Sequence, residues 1–141
     1  MRRLPVTNSP DLPSTYEPRV RVLMVEDDES LRELWTRVVT RLGYDVIVAP
    51  DAESAAQLLH DHHDVALCDV HLPGASGLWL ADQIRQLSPG TAIVLITADD
   101  HIPPSESLRP GIVSYLVKPV TIDELERALR EAVRWSQQHR A

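Results

Sequence analysis

From residue 20 onward the chain alternates short continuous apolar runs with stretches in which apolar side chains return every three or four positions. The runs lie at 20–25, 45–49, 65–68, 92–96 and 112–117, are rich in Val and Ile, and have the length of buried strands, the fifth expected to form a shorter strand. The stretches between them have helical spacing. Leu31, Leu34, Val38, Val39 and Leu42 form one stripe, with Gly43 placed to stop the helix. Asp51 caps a second helix carrying Ala52, Ala55, Ala56, Leu58 and Leu59, and a third over 77–87 turns Leu78, Ala81, Ile84 and Leu87 inward. Thr121 and Glu124 have the spacing of a capping box, ahead of a long last helix with Leu125, Ala128, Leu129, Ala132 and Val133 on its apolar side.

One connection breaks the rhythm. Residues 99–110, between the fourth and fifth strands, contain Pro103, Pro104 and Pro110, which confine any fourth helix to about one or two turns. Strand and helix otherwise alternate five times, which predicts an α/β domain with a parallel sheet covered on both faces by right-handed crossovers. Residues 1–18 stand apart: Pro5, Pro10, Pro13 and Pro18 among Asn, Ser and Thr, without periodicity, predict a disordered leader. The domain is expected to span 19–138, with 139–141 as a tail.

Composition narrows the reading by exclusion. At 141 residues, 43% hydrophobic and 25% charged, the chain suits one soluble domain with its own core. Its single cysteine, Cys68, excludes an internal disulfide framework, and no Cys/His spacing of the zinc-binding kind occurs. Arg2 and Arg3 have no apolar run behind them and no segment reaches spanning length, so no membrane is expected and the protein reads as cytoplasmic. A formal net charge of −7 without a basic cluster argues against direct contact with nucleic acid.

The candidate chemistry lies where the strands end. Glu26 and Asp27 follow the first strand, Asp69 ends the third, Thr97 ends the fourth and Lys118 follows the fifth. In a parallel sheet all five stand at one edge, the carboxyl edge, where ligands collect. Three acidic groups converging there repel one another unless a cation sits among them, and hard carboxylate oxygens suit Mg²⁺. With a hydroxyl and an ammonium at the same rim, the pocket is fit to hold a phosphoryl group while an Asp69 oxygen attacks in line, giving an aspartyl phosphate.

The elements Val25-Glu26-Asp27-Asp28, Asp69-Val70-His71-Leu72-Pro73-Gly74-Ala75-Ser76-Gly77-Leu78, Thr97-Ala98 and Gly111-Ile112-Val113-Ser114-Tyr115-Leu116-Val117-Lys118-Pro119, in this order and at these distances, resemble the receiver domain of two-component response regulators over residues 20–135. The resemblance implies the flavodoxin-like doubly wound sheet of strand order 2-1-3-4-5. It implies Asp69 as phosphoacceptor from a sensor histidine kinase or histidine phosphotransfer protein. Asp27 would ligate Mg²⁺ directly, Glu26 mostly through water, and His71 through its backbone carbonyl, while Asp28 begins the first helix. Thr97 and Tyr115 resemble the paired switch residues, and Lys118 the lysine that contacts the phosphoryl group.

The departures also carry expectations. The prolines fall where similar receivers have a fourth helix of several turns on their signalling face, so dimerisation through that face is not expected. Ile112 stands where a small residue is usual and suggests slower access to the pocket. Only six residues follow Trp135, so a stand-alone receiver without an output domain is expected.

Two rival readings remain at this point. One is a magnesium phosphohydrolase that forms an aspartyl phosphate, disfavoured because the general acid expected two residues after the nucleophile is replaced by His71. The other is a receiver-like interaction module that is never phosphorylated, disfavoured because Asp27, Asp69 and Lys118 are all present. The remaining conspicuous residues have plain explanations: His60, His62 and His63 sit at a helix end, Cys68 packs on the face opposite Asp69, Trp35 and Trp79 pack along their helices, and Trp135 lies at the edge of the last apolar stripe, open to a partner contact.

Overall fold

The computed structural model describes residues 19–98 and 109–140. Five parallel strands, β1 (Arg21–Val25), β2 (Asp45–Ala49), β3 (Val65–Asp69), β4 (Ala92–Thr97) and β5 (Ile112–Val117), form one sheet in the order β2-β1-β3-β4-β5. Among the described residues there are four α-helices: α1 (Glu29–Arg41), α2 (Ala52–Gln57), α3 (Gly77–Leu87) and α4 (Ile122–Gln138). The order is the one implied by the resemblance. The expected leader at 1–18, the last residue of the expected tail and most of the proline-rich connection at 99–110 lie outside the described residues.

Strand alternation splits the interior into two layers, because successive side chains leave opposite faces of the sheet. On one face Leu23, Ala66, Cys68, Ile93 and Leu95 pack with Ala52 and Ala55 of α2 and with Leu80, Ala81 and Ile84 of α3. On the other Val22, Met24, Leu67, Val94 and Ile96 pack with Val39 of α1 and with Leu125, Ala128, Leu129 and Ala132 of α4. Strands β3 and β4 are buried along their whole length, as continuous apolar runs require when helices cover both faces.

Each helix starts on a side-chain cap that accepts an otherwise orphaned backbone N–H. Asp28 accepts from Leu31, Asp51 from Ser54 and Ser76 from Trp79, while Thr121 and Glu124 form the expected capping box. Gly43, at φ +104°, closes α1 in the left-handed region where other residues are strained.

Four expectations need correction. The second helix ends at Gln57, and Leu58–His60 tighten into a 3-10 turn. Leu59 is still buried there, so the apolar pattern was satisfied without another α-turn. In α3 Leu80 is buried while Leu87 is 59% exposed. Leu78 and Leu87 are nine residues apart, about 180° around a helix, and cannot share one stripe. β5 has six residues and is as long as β4; Val113 is an extra residue in the ladder, since Ile93 pairs with Ile112 but Val94 with Ser114. That register also places Ile112 at the start of β5, the end remote from Lys118, where it packs against the core and is not at the mouth of the pocket.

Candidate functional site

The carboxyl edge of the sheet brings Glu26, Asp27, Asp69 and Lys118 together. Asp69 closes β3 between β1 and β4, the two central neighbours, so its side chain emerges at the middle of the edge and is only 6% exposed. Glu26 leaves the end of β1 equally buried, while Asp27 beside it is exposed. One carboxylate oxygen from each of the three lies within 4.8 Å of the others. Lys118 reaches across from the end of β5: its Nζ donates to Asp69 Oδ2 at 2.7 Å and to Glu26 Oε1 at 3.5 Å.

Both Asp69 oxygens are thereby oriented. Oδ1 accepts the backbone N–H of His71 at 3.0 Å, and Oδ2 faces the ammonium. Glu26 is fixed similarly, its Oε2 accepting the N–H of Asp28 at 3.1 Å and its carbonyl accepting Arg32 Nη1 at 2.9 Å. Burial raises the Glu26 carboxyl above the usual carboxylate value; the Asp28 N–H opposes this, Asp69 adds to it, and Lys118 offsets part. Burial alone would lower the Lys118 ammonium, but the Asp69 hydrogen bond and the charges of Asp69 and Glu26 outweigh it and the net shift is upward. A crowded acidic pocket thus holds its one lysine charged.

Thr97, fully buried, ends β4, and its carbonyl accepts the Lys118 N–H at 2.7 Å. Its side chain follows Ile93 and Leu95 on the α2–α3 face, and Tyr115 of β5 packs against that same layer. Thr97 pairs with Val117, two residues beyond Tyr115, so the two side chains lie on one face of neighbouring strands. An apolar groove of about 670 Å³ opens next to Lys118, lined by Leu31, Leu34, Trp35, Pro119 and Ile122.

Two features of the site were missed in the sequence. Gly77 was read only as a helix start, but a Cβ there would stand 2.3 Å from the Asp69 carbonyl oxygen and 2.9 Å from the Val70 Cα. A residue of poor helix propensity in the first turn was the available signal for that close approach. Glu53 of α2 accepts the N–H of Ala75, in the turn after Asp69, at 3.1 Å, and nothing in the local pattern announces so distant a contact.

The plain readings of the other polar residues agree with the structure. His60 Nδ1 bonds the Gln57 carbonyl, His63 Nε2 the Leu58 carbonyl, and His62 Nε2 the Asp64 carboxylate. Among the described residues the only cluster fit for a metal ion is Glu26, Asp27 and Asp69. Cys68 is fully buried on the face opposite Asp69, and burial pushes its thiol up to about 12. Trp35 and Trp135 pack against the α1–α4 layer, Trp135 also stacking on His139, and Trp79 is 38% exposed.

Comparison with known proteins gives this geometry a family. The chain is 38% identical to the two-component response regulator PhoP of Pseudomonas aeruginosa, over 83% of this chain and 53% of that protein. It is 35% identical to the transcriptional regulatory protein YrkP of Bacillus subtilis, over 74% of this chain and 46% of that one. The chain therefore spans about half the length of these relatives. Among solved structures, the signal receiver domain of an HD domain-containing protein from Pseudomonas fluorescens matches with a TM-score of 0.80 at 31% identity, over 88% of this chain and 93% of that one. The response regulator TrrA of Thermotoga maritima, solved in complex with Mg²⁺-BeF, matches with a TM-score of 0.73 at 30% identity, over 80% and 98%. No helix among the described residues is long and apolar enough to cross a membrane. With residues 22–130 also matching the model of the response regulator receiver domain, the chain belongs to that family of two-component signalling domains.

Proposed function

We propose that this receiver accepts a phosphoryl group on Asp69 from a phosphohistidine of a sensor kinase or phosphotransfer protein and thereby changes its binding to a partner. The observation that carries the reading is the meeting of three carboxylates and one lysine at the carboxyl edge, with both Asp69 oxygens held in defined directions. In the transfer an Asp69 oxygen forms the bond to phosphorus as the P–N bond of the donor breaks. The electron pair leaves on the imidazole nitrogen, which takes a proton from solvent. Lys118, already within 2.7 Å of Asp69, follows the transferred oxygens, and Thr97 at the same rim supplies a hydroxyl for them.

The donor set fits a divalent ion: hard carboxylate oxygens, mutually close, with more negative than positive charge. Asp27, Asp69, the His71 carbonyl and, through water, Glu26 would hold Mg²⁺. Bound there, the ion supplies positive charge against the phosphoryl oxygens. The response then depends on Thr97 and Tyr115, because a switch draws its free energy only from contacts that differ between its two states.

The protein so described acts on no separate substrate; it catalyses only its own phosphorylation and dephosphorylation. His71 in place of a second acid speaks against a phosphohydrolase. The acidic charge speaks against direct nucleic acid binding, and a cytoplasmic location suits a kinase-fed receiver. Labelling by acetyl phosphate with Mg²⁺ tests the reading. Asp69→Asn is expected to abolish it, and Thr97→Ala to permit labelling while weakening the partner response; wild-type labelling of Asp69→Asn overturns the assignment.

A further inference from the structure

We infer that Glu53, on α2, is a positioning residue for phosphoryl transfer to Asp69, acting through the turn that follows β3; this rests on the reading of Asp69 as phosphoacceptor. Glu53 is the second residue of α2 and points outward. Its Oε2 accepts the N–H of Ala75 at 3.1 Å, from a residue 22 positions along the chain. Gly74 rests on the same carboxylate: at φ +76° it has no Cβ, and one built there would stand 2.8 Å from Oε2 and 3.3 Å from Oε1. The turn therefore lies directly on the Glu53 side chain, in a conformation and at a distance that only glycine admits without displacing it.

The two ends of this turn are tied to the sheet. Val70 donates to the Ile96 carbonyl at 2.8 Å, and Gly77 donates to the Val70 carbonyl at 2.9 Å. Glu53 fastens the middle from a neighbouring helix. The turn in question carries the His71 N–H that holds Asp69 Oδ1. Releasing its middle leaves that N–H aligned for a smaller share of the time, and a carboxylate that must attack in line loses part of its preset orientation.

An acidic residue in the first turn of a helix has a simpler use, since its charge opposes the positive end of the helix dipole. The two roles separate cleanly. The dipole role needs the charge, whereas the positioning role needs only an acceptor oxygen, which glutamine retains.

The experiment uses the full chain with acetyl phosphate and Mg²⁺, reading the maximal labelling rate, the half-saturating acetyl phosphate concentration, and hydrogen exchange at the Ala75 amide. Glu53→Ala is expected to lower the maximal rate about fivefold, leave the half-saturating concentration within about twofold, and speed Ala75 exchange about fivefold. Glu53→Gln is expected to stay within about twofold of wild type on all three. Wild-type labelling in Glu53→Ala overturns the inference, as does an equal loss in both variants, which assigns the effect to charge. If Glu53→Ala does not fold, Gly74→Ala displaces the same carboxylate from the other side, and wild-type labelling there overturns it equally. Labelling of Asp69→Asn at the wild-type rate removes the phosphoacceptor reading and this inference together; unlabelled Asp69→Asn beside a fast Glu53→Ala removes this inference alone.

Discussion

Two aspartates of equal burial stand at opposite ends of β3, and their neighbours give them opposite work. Asp64, just before the strand, and Asp69, at its end, are each 6% exposed. Around Asp64 the contacts are donors: the Arg21 backbone N–H at 2.9 Å, His62 Nε2 at 2.9 Å and Arg140 Nη2 at 3.6 Å. Its own backbone completes the knot, donating to the Arg21 carbonyl and accepting from Ala92. Asp69 instead shares one ammonium with Glu26 and has carboxylate oxygens of both Glu26 and Asp27 within 4.8 Å. A buried acid surrounded by donors holds the sheet together, whereas one crowded by other acids holds electrostatic strain that a cation or a phosphoryl group changes.

The largest expected effects come from exchanging these two carboxylates for neutral groups. Asp64→Ala strands the Arg21 N–H and is expected to cost about 3 kcal/mol of unfolding free energy, measured by urea denaturation. Asp69→Asn removes a like charge from the crowd, and without Mg²⁺ it is expected to be more stable than wild type by up to about 1 kcal/mol. Adding Mg²⁺ to about ten times its Kd should then raise wild type by ~1.4 kcal/mol while Asp69→Asn gains less. A destabilised Asp69→Asn in Mg²⁺-free buffer breaks the contrast, because Asp69 would then be a structural residue like Asp64.

Glycines at the two edges give a smaller test of the same difference. Gly77→Ala drives a Cβ to within 2.3 Å of the Asp69 carbonyl oxygen, backbone against backbone, and is expected to cost about 2 kcal/mol and slow phosphoryl labelling. Gly90, before β4 at the other edge, would place its Cβ 3.3 Å from the His139 carbonyl near the end of the chain. Gly90→Ala is expected to cost under about 0.5 kcal/mol and leave labelling unchanged. Equal melting temperatures for the two variants would show that α3 shifts freely past Asp69.

How legible these edges were depended on the range of the interactions involved. Strands β3 and β4 and the four helix starts follow from local causes, namely apolar runs and caps three residues away, and the sequence reading found them. Glu26, Asp27, Asp69, Thr97 and Lys118 were legible because one topological fact, parallel strands, places every strand end at one edge. The bulge at Val113, the burial of Leu80 over Leu87 and the contact of Glu53 with Ala75 depend on how separate elements dock, which no local period encodes. No local period marks Asp64 either, since its donors come from β1, from His62 and from beyond the end of α4.

The smallest expected effect is a pH dependence seated at the amino edge. His63 is 1% exposed, with Nε2 on the Leu58 carbonyl at 3.0 Å and Nδ1 without a hydrogen-bond partner among the described residues. Burial lowers its pKa below the usual 6.5; the Leu58 carbonyl opposes this, Arg21 reinforces it, Asp61 opposes it, and His62 reinforces it. The unfolded chain therefore takes up a proton at a pH where the folded chain does not, so stability falls as pH drops through 6.5 toward the folded value. His63→Gln keeps an N–H for the Leu58 carbonyl and cannot titrate, and it is expected to flatten the stability profile below pH 6.5 while leaving labelling by acetyl phosphate unchanged at neutral pH. Urea unfolding of both proteins from pH 7 down to pH 5 reads the difference; an unaltered slope in His63→Gln would take the acid sensitivity away from His63, and Glu26 does not supply it, because its raised pKa makes protonation favour the folded chain.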